Sequence, residues 1–135
     1  MTQREALAAI ATNGMAGVLG IELVSIDDAG VIATMPVDHR THQPFGILHG
    51  GASIALAETV ASIGAASRID LDAFVAVGQE INGNHLRGKS EGIVTATAKP
   101  VHVGRTSHVW AVEIVDEQGR MVCVSRCTMA IVPRR

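Results

Sequence analysis

The stretch GGASIALAETVASIGAAS, residues 50–67, decides how the rest of the chain must fold. Ile54, Leu56, Val60 and Ile63 stand among alanines, and no side of the helical wheel is strongly polar. A helix of that kind is surrounded by protein. It falls short of the about 20 residues that cross a bilayer, as does the apolar patch at residues 6–11, so no segment is expected to span a membrane. Glu58 is the only ionisable side chain in the stretch, and its helix-face neighbours are Ile54, Ala55, Ala61 and Ser62. A lone carboxylate among such neighbours is costly unless it is paired or opens on a cleft. Either Glu58 anchors the helix through a distant arginine or an interface, or it is a functional acid in a cleft.

The flanking sequence supplies what surrounds the helix. Residues 3–18 carry helix formers and end near Gly17 and Gly20, predicting one short outer helix. Residues 21–26 and 31–35 are β-branched runs parted by Asp27, Asp28, Ala29 and Gly30, the signal of a hairpin. Residues 38–51 read as a polar loop with three histidines, a place where chemistry tends to sit. After the helix, residues 73–86, 91–102, 106–117 and 120–132 are rich in Val, Ile and Thr and are separated by turn residues such as Gly88, Gly104 and Gly119. Four strands in succession predict an antiparallel meander. The whole order predicts an α+β domain over residues 1–135, a curved antiparallel sheet wrapped around the 50–67 helix.

With 47% hydrophobic but only 2% aromatic residues, the core must be aliphatic. A formal charge of −2 gives no basis for a global nucleic-acid surface, although the arginines near residues 87, 105 and 134 could still meet phosphate. Cys123 and Cys127, read as lying in one strand, are roughly 13 Å apart at about 3.3 Å per residue and cannot bridge each other. With no further cysteine and no secretory signal, a cytoplasmic location is expected.

Gly50 and Gly51 open the helix, where unpaired N–H groups and the positive end of the helix dipole suit an oxyanion. For a glycine pair alone, tight packing is the commoner explanation. Gly50 and Glu58 are roughly 12 Å apart at about 1.5 Å per residue, too far to act on one carbonyl. If both act on the same bond, Glu58 of one chain must meet Gly50 of another across a two-fold axis, which predicts a homodimer with shared sites.

HQPFGILHGGASIALAETVAS (residues 42–62), VGQEINGNHLRGKSEG (77–92) and AKPVHVGRTSHVWAVEIVDEQGR (98–120) resemble the hotdog-fold acyl-CoA thioesterases of the glutamate-dependent 4-hydroxybenzoyl-CoA thioesterase group. Its bacterial members act on 1,4-dihydroxy-2-naphthoyl-CoA, hydroxybenzoyl-CoA or phenylacetyl-type thioesters. The resemblance implies Glu58 as nucleophile or general base and the Gly50 N–H as the donor that polarises the thioester carbonyl. It implies that Gln43 lies near that oxygen or positions water, that His49 orients the thioester, and that Ser62 contacts substrate or water. It places His85, Leu86, Arg87 and Gly88, with His102, Val103, Gly104, Arg105, Thr106 and Ser107, beside coenzyme A. In QEINGNHLR one residue more than in the group's pattern leaves Asn84 an alternative to His85. Arg134 and Arg135 are further candidates at the nucleotide. Coenzyme A belongs to the substrate, so no separate cofactor is implied, and two dimers are expected to form a homotetramer.

Three other readings compete. His39, His42 and His49 suggest a metal, but their spacing lacks an i,i+4 pair and no Cys or acidic cluster completes four ligands. A hotdog dehydratase would call for a His and Asp pair, and the loop offers only Asp38. A non-catalytic acyl-CoA sensor keeps the fold, but nothing resembling a DNA-binding segment is attached and Gln43, Gly50 and Glu58 are all present. The acyl pocket is expected between residues 45–48, the helix face 54–62 and a partner strand, an apolar surface suited to an aryl or medium acyl group.

Overall fold

The computed structural model describes residues 2–135, apart from the side chains at 4, 10, 11 and 12. Helix α1 (Gln3–Thr12) starts at a capping box, in which the Glu5 N–H donates to Thr2 Oγ1 at 3.1 Å and the Thr2 N–H to Glu5 Oε2 at 2.7 Å. The single helix predicted over residues 3–18 is two. Asn13 is extended at φ −94° and ψ 155° and Gly14 has φ 64°, so the chain breaks and restarts as α2 (Gly14–Val18). Glycine takes that left-handed value without strain.

Strands β1 (Glu22–Asp27) and β2 (Gly30–Pro36) form the expected hairpin, its turn held by Asp27 Oδ1, which accepts the Ala29 N–H at 2.8 Å. Helix α3 (Gly50–Ala66) follows, then β3 (Phe74–His85), β4 (Ile93–Val103), β5 (Ser107–Val115) and β6 (Met121–Pro133). All pairings are antiparallel, in the order β1-β2-β4-β5-β6-β3. Only β4, β5 and β6 make a meander, which corrects the prediction of four. Having crossed the sheet as α3, the chain enters β3 at the far edge beside β6, and residues 86–92 carry it back so that β4 can pair with β2.

That return segment is tied down along its length. The Leu86 N–H donates to Val122 O at 2.8 Å, the Leu48 N–H to Lys89 O at 2.8 Å, and the Val37 N–H to Gly92 O at 2.8 Å. Lys89 is ion-paired with Glu117 in the β5–β6 turn.

The sheet curls around α3 by alternation. Val94, Ala96 and Ala98, then Trp110, Val112 and Ile114, then Cys127 and Met129 face Leu56, Val60 and Ile63 in the buried core. A side chain at Gly64 would start 2.7 Å from the Trp110 ring, so only glycine lets the helix lie this close to β5. The helix is not enclosed on all sides, contrary to the reading of its wheel. Gly51, Ile54, Ala55, Glu58, Thr59 and Ser62 form a stripe that stays partly or fully exposed. Alanine, serine and threonine differ too little from one another to mark that face in the sequence. Cys123 and Cys127 are buried and unbridged.

Candidate active site

Helix α3 runs antiparallel to β3, and three contacts fix the alignment. Cβ positions built at Gly83 and Gly78 fall 2.6 Å from Ile54 Cδ1 and 2.7 Å from Glu58 Oε2, and one built at Gly50 falls 2.7 Å from His85 Nε2. At each point glycine lets the facing side chain come closer than a Cβ would allow without displacing it. Beside Gly78 the β3–β6 ladder is shifted, with Gly78 opposite Met129 and Glu80 opposite Thr128, so a bulge at Gln79 sits next to the Glu58 carboxylate.

Glu58 takes part in none of the ion pairs among the described residues. It lines a cavity of about 370 Å³ with Met15 and Ala16 of α2 and Gly51, Ile54, Ala55, Thr59 and Ser62 of α3. Among the described residues, then, no internal anchoring pair holds Glu58. Ser62, one turn on, reaches the same cavity and directs its hydroxyl to Met129 Sδ at 3.8 Å. Beneath lies Cys127, whose thiol is pushed up to about 12 by burial, with the charges of Glu58 and Glu80 adding to the effect. It is an inert core group.

A second cavity, of about 360 Å³, holds Gln43, Ile47, Leu48, Gly50, Ser53, His85, Leu86, Arg87, Gly88 and Val122. His49 caps α3, and its Nδ1 accepts the Gly51 N–H at 2.7 Å, which leaves the ring proton of the neutral form on Nε2. The amides of Ala52 and Ser53 both reach the His49 carbonyl, at 3.0 and 3.3 Å. In that first turn the Gly50 N–H is left without a partner among the described residues. Gln43 closes its own loop. Its backbone N–H donates to Ile47 O at 2.8 Å and its side-chain oxygen accepts the Phe45 N–H, so its amide NH₂ is the end left to act as a donor.

Gln43, Gly50 and His85 to Gly88 are thus brought together, and Glu58 and Ser62 are brought together elsewhere on the same helix. The segment from His102 to Ser107 lies at the opposite end of the sheet. Ser107 pairs with Ala130 and His85 with Cys123, a separation along β6 of roughly 23 Å at about 3.3 Å per residue. Within one chain the two segments expected at coenzyme A do not meet. Arg134 is at the Ser107 end, its Nε donating to Leu71 O at 2.9 Å. Asn84, on β3 opposite Val124, does not line the Gly50 cavity, whereas His85 does. Phe45 is 89% exposed at the loop tip. Among the described residues no group of three or more His, Cys, Asp or Glu is arranged to hold a metal ion, and His42 bonds the Ser90 carbonyl at 2.8 Å.

Sequence reasoning did not single out Gly78, which abuts Glu58, or Ser53, which lines the Gly50 cavity. Gly78 gives no local signal, because what demands it is a side chain on another element. Ser53 looked like one more small residue of the helix.

A curved antiparallel sheet wrapped on a central helix is the hotdog fold. Residues 45–123 match the Thioesterase superfamily. A 1,4-dihydroxy-2-naphthoyl-CoA hydrolase of Escherichia coli is 48% identical over 128 residues, covering 95% of this chain and 93% of that one. The structure of a mutant of thioesterase PA1618 from Pseudomonas aeruginosa superposes with a TM-score of 0.92 at 46% identity, over 96% of this chain and 94% of that one. SAV0944 of Staphylococcus aureus has a TM-score of 0.87 at 40% identity, over 90% of this chain and 100% of that one, in a structure with a glutamate replaced by alanine. Another of its structures carries a glutamine replaced by alanine. The chain belongs to the Thioesterase superfamily and is a thioester hydrolase.

Proposed function

We propose that the protein hydrolyses an aromatic acyl-CoA, of the hydroxybenzoyl, dihydroxynaphthoyl or phenylacetyl kind, at sites shared between two protomers. In each site Glu58 of one protomer faces a thioester whose carbonyl oxygen accepts the N–H of the partner's Gly50. The carrying observation is that Glu58 and the Gly50 N–H, which has no partner among the described residues, line separate cavities about two turns apart on α3. Among the described residues β3 pairs in the sheet with β6 alone, which leaves its other edge open there. If that edge pairs with its own copy about a two-fold axis near Ile81 and Asn82, the Gly78 end of one strand meets the His85 end of the other. The same operation carries the partner's segment from His102 to Ser107, with Arg134, toward His85 and Arg87, so both halves of the nucleotide site meet. It also covers the partly exposed stripe of α3.

In this reading the Gly50 N–H and the NH₂ of Gln43 polarise the carbonyl, and His49 orients the thioester. The Glu58 carboxylate either attacks the carbonyl carbon, expelling the CoA thiolate and leaving a mixed anhydride for water to cleave, or takes a proton from the attacking water. In SAV0944 the replaced glutamine and glutamate lie as many residues apart as Gln43 and Glu58, which supports these two as partners. The relative named for 1,4-dihydroxy-2-naphthoyl-CoA supports an aromatic acyl group. So does the largely apolar wall of Met15, Ala16, Ile54 and Ala55 beside Glu58. Association of two such dimers and a cytoplasmic location complete the proposal.

Glu58→Gln is expected to lower thioester hydrolysis about 10²–10⁴-fold while leaving CoA-ester binding in place. The check is a free-thiol assay over aromatic and aliphatic acyl-CoAs, with calorimetry for binding. Wild-type turnover in the variant would reject Glu58, and binding without hydrolysis by the unmodified protein would favour a sensor.

A further inference from the structure

We infer that Ser53 is a substrate-binding residue, its hydroxyl placed to hydrogen-bond the amide nearest the thioester sulfur in the pantetheine arm of coenzyme A. Ser53 stands in the first turn of α3, three residues after Gly50, and is 1% exposed. A helical serine or threonine commonly bonds back to a carbonyl of the preceding turn, as Thr59 does to Ala55 O at 2.7 Å and Ser67 to Gly64 O at 2.7 Å. The Ser53 hydroxyl makes no such bond, and no side-chain hydrogen bond of Ser53 occurs among the described residues. Yet no fully enclosed side-chain polar atom lacks a partner among them. The hydroxyl must therefore open on the space its residue lines, the cavity shared with Gln43, Gly50, His85 and Arg87. A nearly buried hydroxyl without a partner is unfavourable until something in the cavity supplies one.

Resting on the reading that a CoA ester enters this cavity, the chemistry of the occupant follows from its walls. The Gly50 N–H takes the carbonyl oxygen, and Arg87 in the same lining offers charge to phosphates. Leu48, Leu86 and Val122 line the space with apolar surface that suits methylene groups. On the helix side Ser53 is the polar group next to Gly50, about one helical turn (roughly 5.4 Å) along the axis at most. In a CoA ester the first polar group beyond the sulfur is the cysteamine amide, two methylenes away. Its carbonyl can accept from a hydroxyl and its N–H can donate to one.

The test compares wild type with Ser53→Ala on benzoyl-CoA and on S-benzoyl-N-acetylcysteamine, which keeps that amide and lacks the rest of the arm. The expected result is a KM raised about 5–30-fold on both substrates, with kcat changed far less and the melting temperature unlowered, because no bond of the free protein is lost. The dissociation constant of Glu58→Gln for benzoyl-CoA should weaken by the same factor when Ser53→Ala is added, a comparison that needs no turnover. An unchanged KM and dissociation constant would overturn the inference. So would a penalty confined to the full CoA ester, or a lowered melting temperature with unaltered binding. Loss of hydrolysis in Glu58→Gln beside any of these results would leave the reading of Glu58 standing.

Discussion

Gly78 carries no side chain because the Glu58 carboxylate occupies the place where one would begin, 2.7 Å from the position of a Cβ. The neighbouring atom is the far end of a flexible side chain, so Gly78→Ala should fold and displace the carboxylate. A turnover loss of about 10–100-fold is expected, with little change in melting temperature, since a small misplacement of a reacting group costs that much. Unaltered kcat would mean that the carboxylate position does not matter to the chemistry. At Gly50 two substitutions separate the donor from the space around it. Both alanine and proline add a Cβ that must push the His85 ring, but only proline also removes the N–H. Proline is tolerated at the first helical position, and His49 at φ −70° and ψ 130° already has the extended backbone needed before it. Steady-state kinetics should show Gly50→Pro slower than Gly50→Ala by about 10²–10³-fold. Equal rates for the two would remove the amide from the mechanism.

The long elements could be read from the chain because their signals are local. Glu58 is charged in an apolar helix, and the runs that became β4, β5 and β6 alternate against the core. What escaped was set by neighbours distant in sequence. The side of α3 left open depends on where the sheet stops, and the place of β3 beside β6 depends on a helix crossing the whole sheet. Asn13 and Gly14 broke the first helix through a backbone choice that the helix formers on either side of it outvoted in the sequence. His108 on β5 is another such case, 1% exposed and accepting the Trp110 indole N–H at 3.4 Å. Burial, with the positive charges of His102 and Arg68 adding, holds its pKa below the ordinary 6.5. The folded protein thus refuses a proton that the unfolded chain accepts. Its contribution to stability is present above about pH 6.5 and is lost as the pH falls from there toward the lowered value. Melting curves between pH 5 and 8 should fall in that window for wild type and less steeply for His108→Gln. Parallel curves would assign the slope to other groups.

For the whole molecule, the proposed sharing of the site rests on a spacing already legible in the sequence, a helix that keeps Gly50 roughly 12 Å from Glu58. It could not show that the two segments expected at coenzyme A also sit at opposite ends of the sheet, because that follows from strand order. One two-fold axis through the open edge of β3 would mend both separations. Mixing disabled chains measures this directly. Glu58→Gln and Gly50→Pro are each nearly inactive alone. A mixed dimer keeps one intact site, built from Glu58 of the Gly50→Pro chain and Gly50 of the Glu58→Gln chain. Co-refolding the two in equal amounts should raise thioesterase activity from near background to about a quarter of wild type, since half the dimers are mixed and each of these has one working site. A mixture no more active than the sum of its components would contradict the shared site.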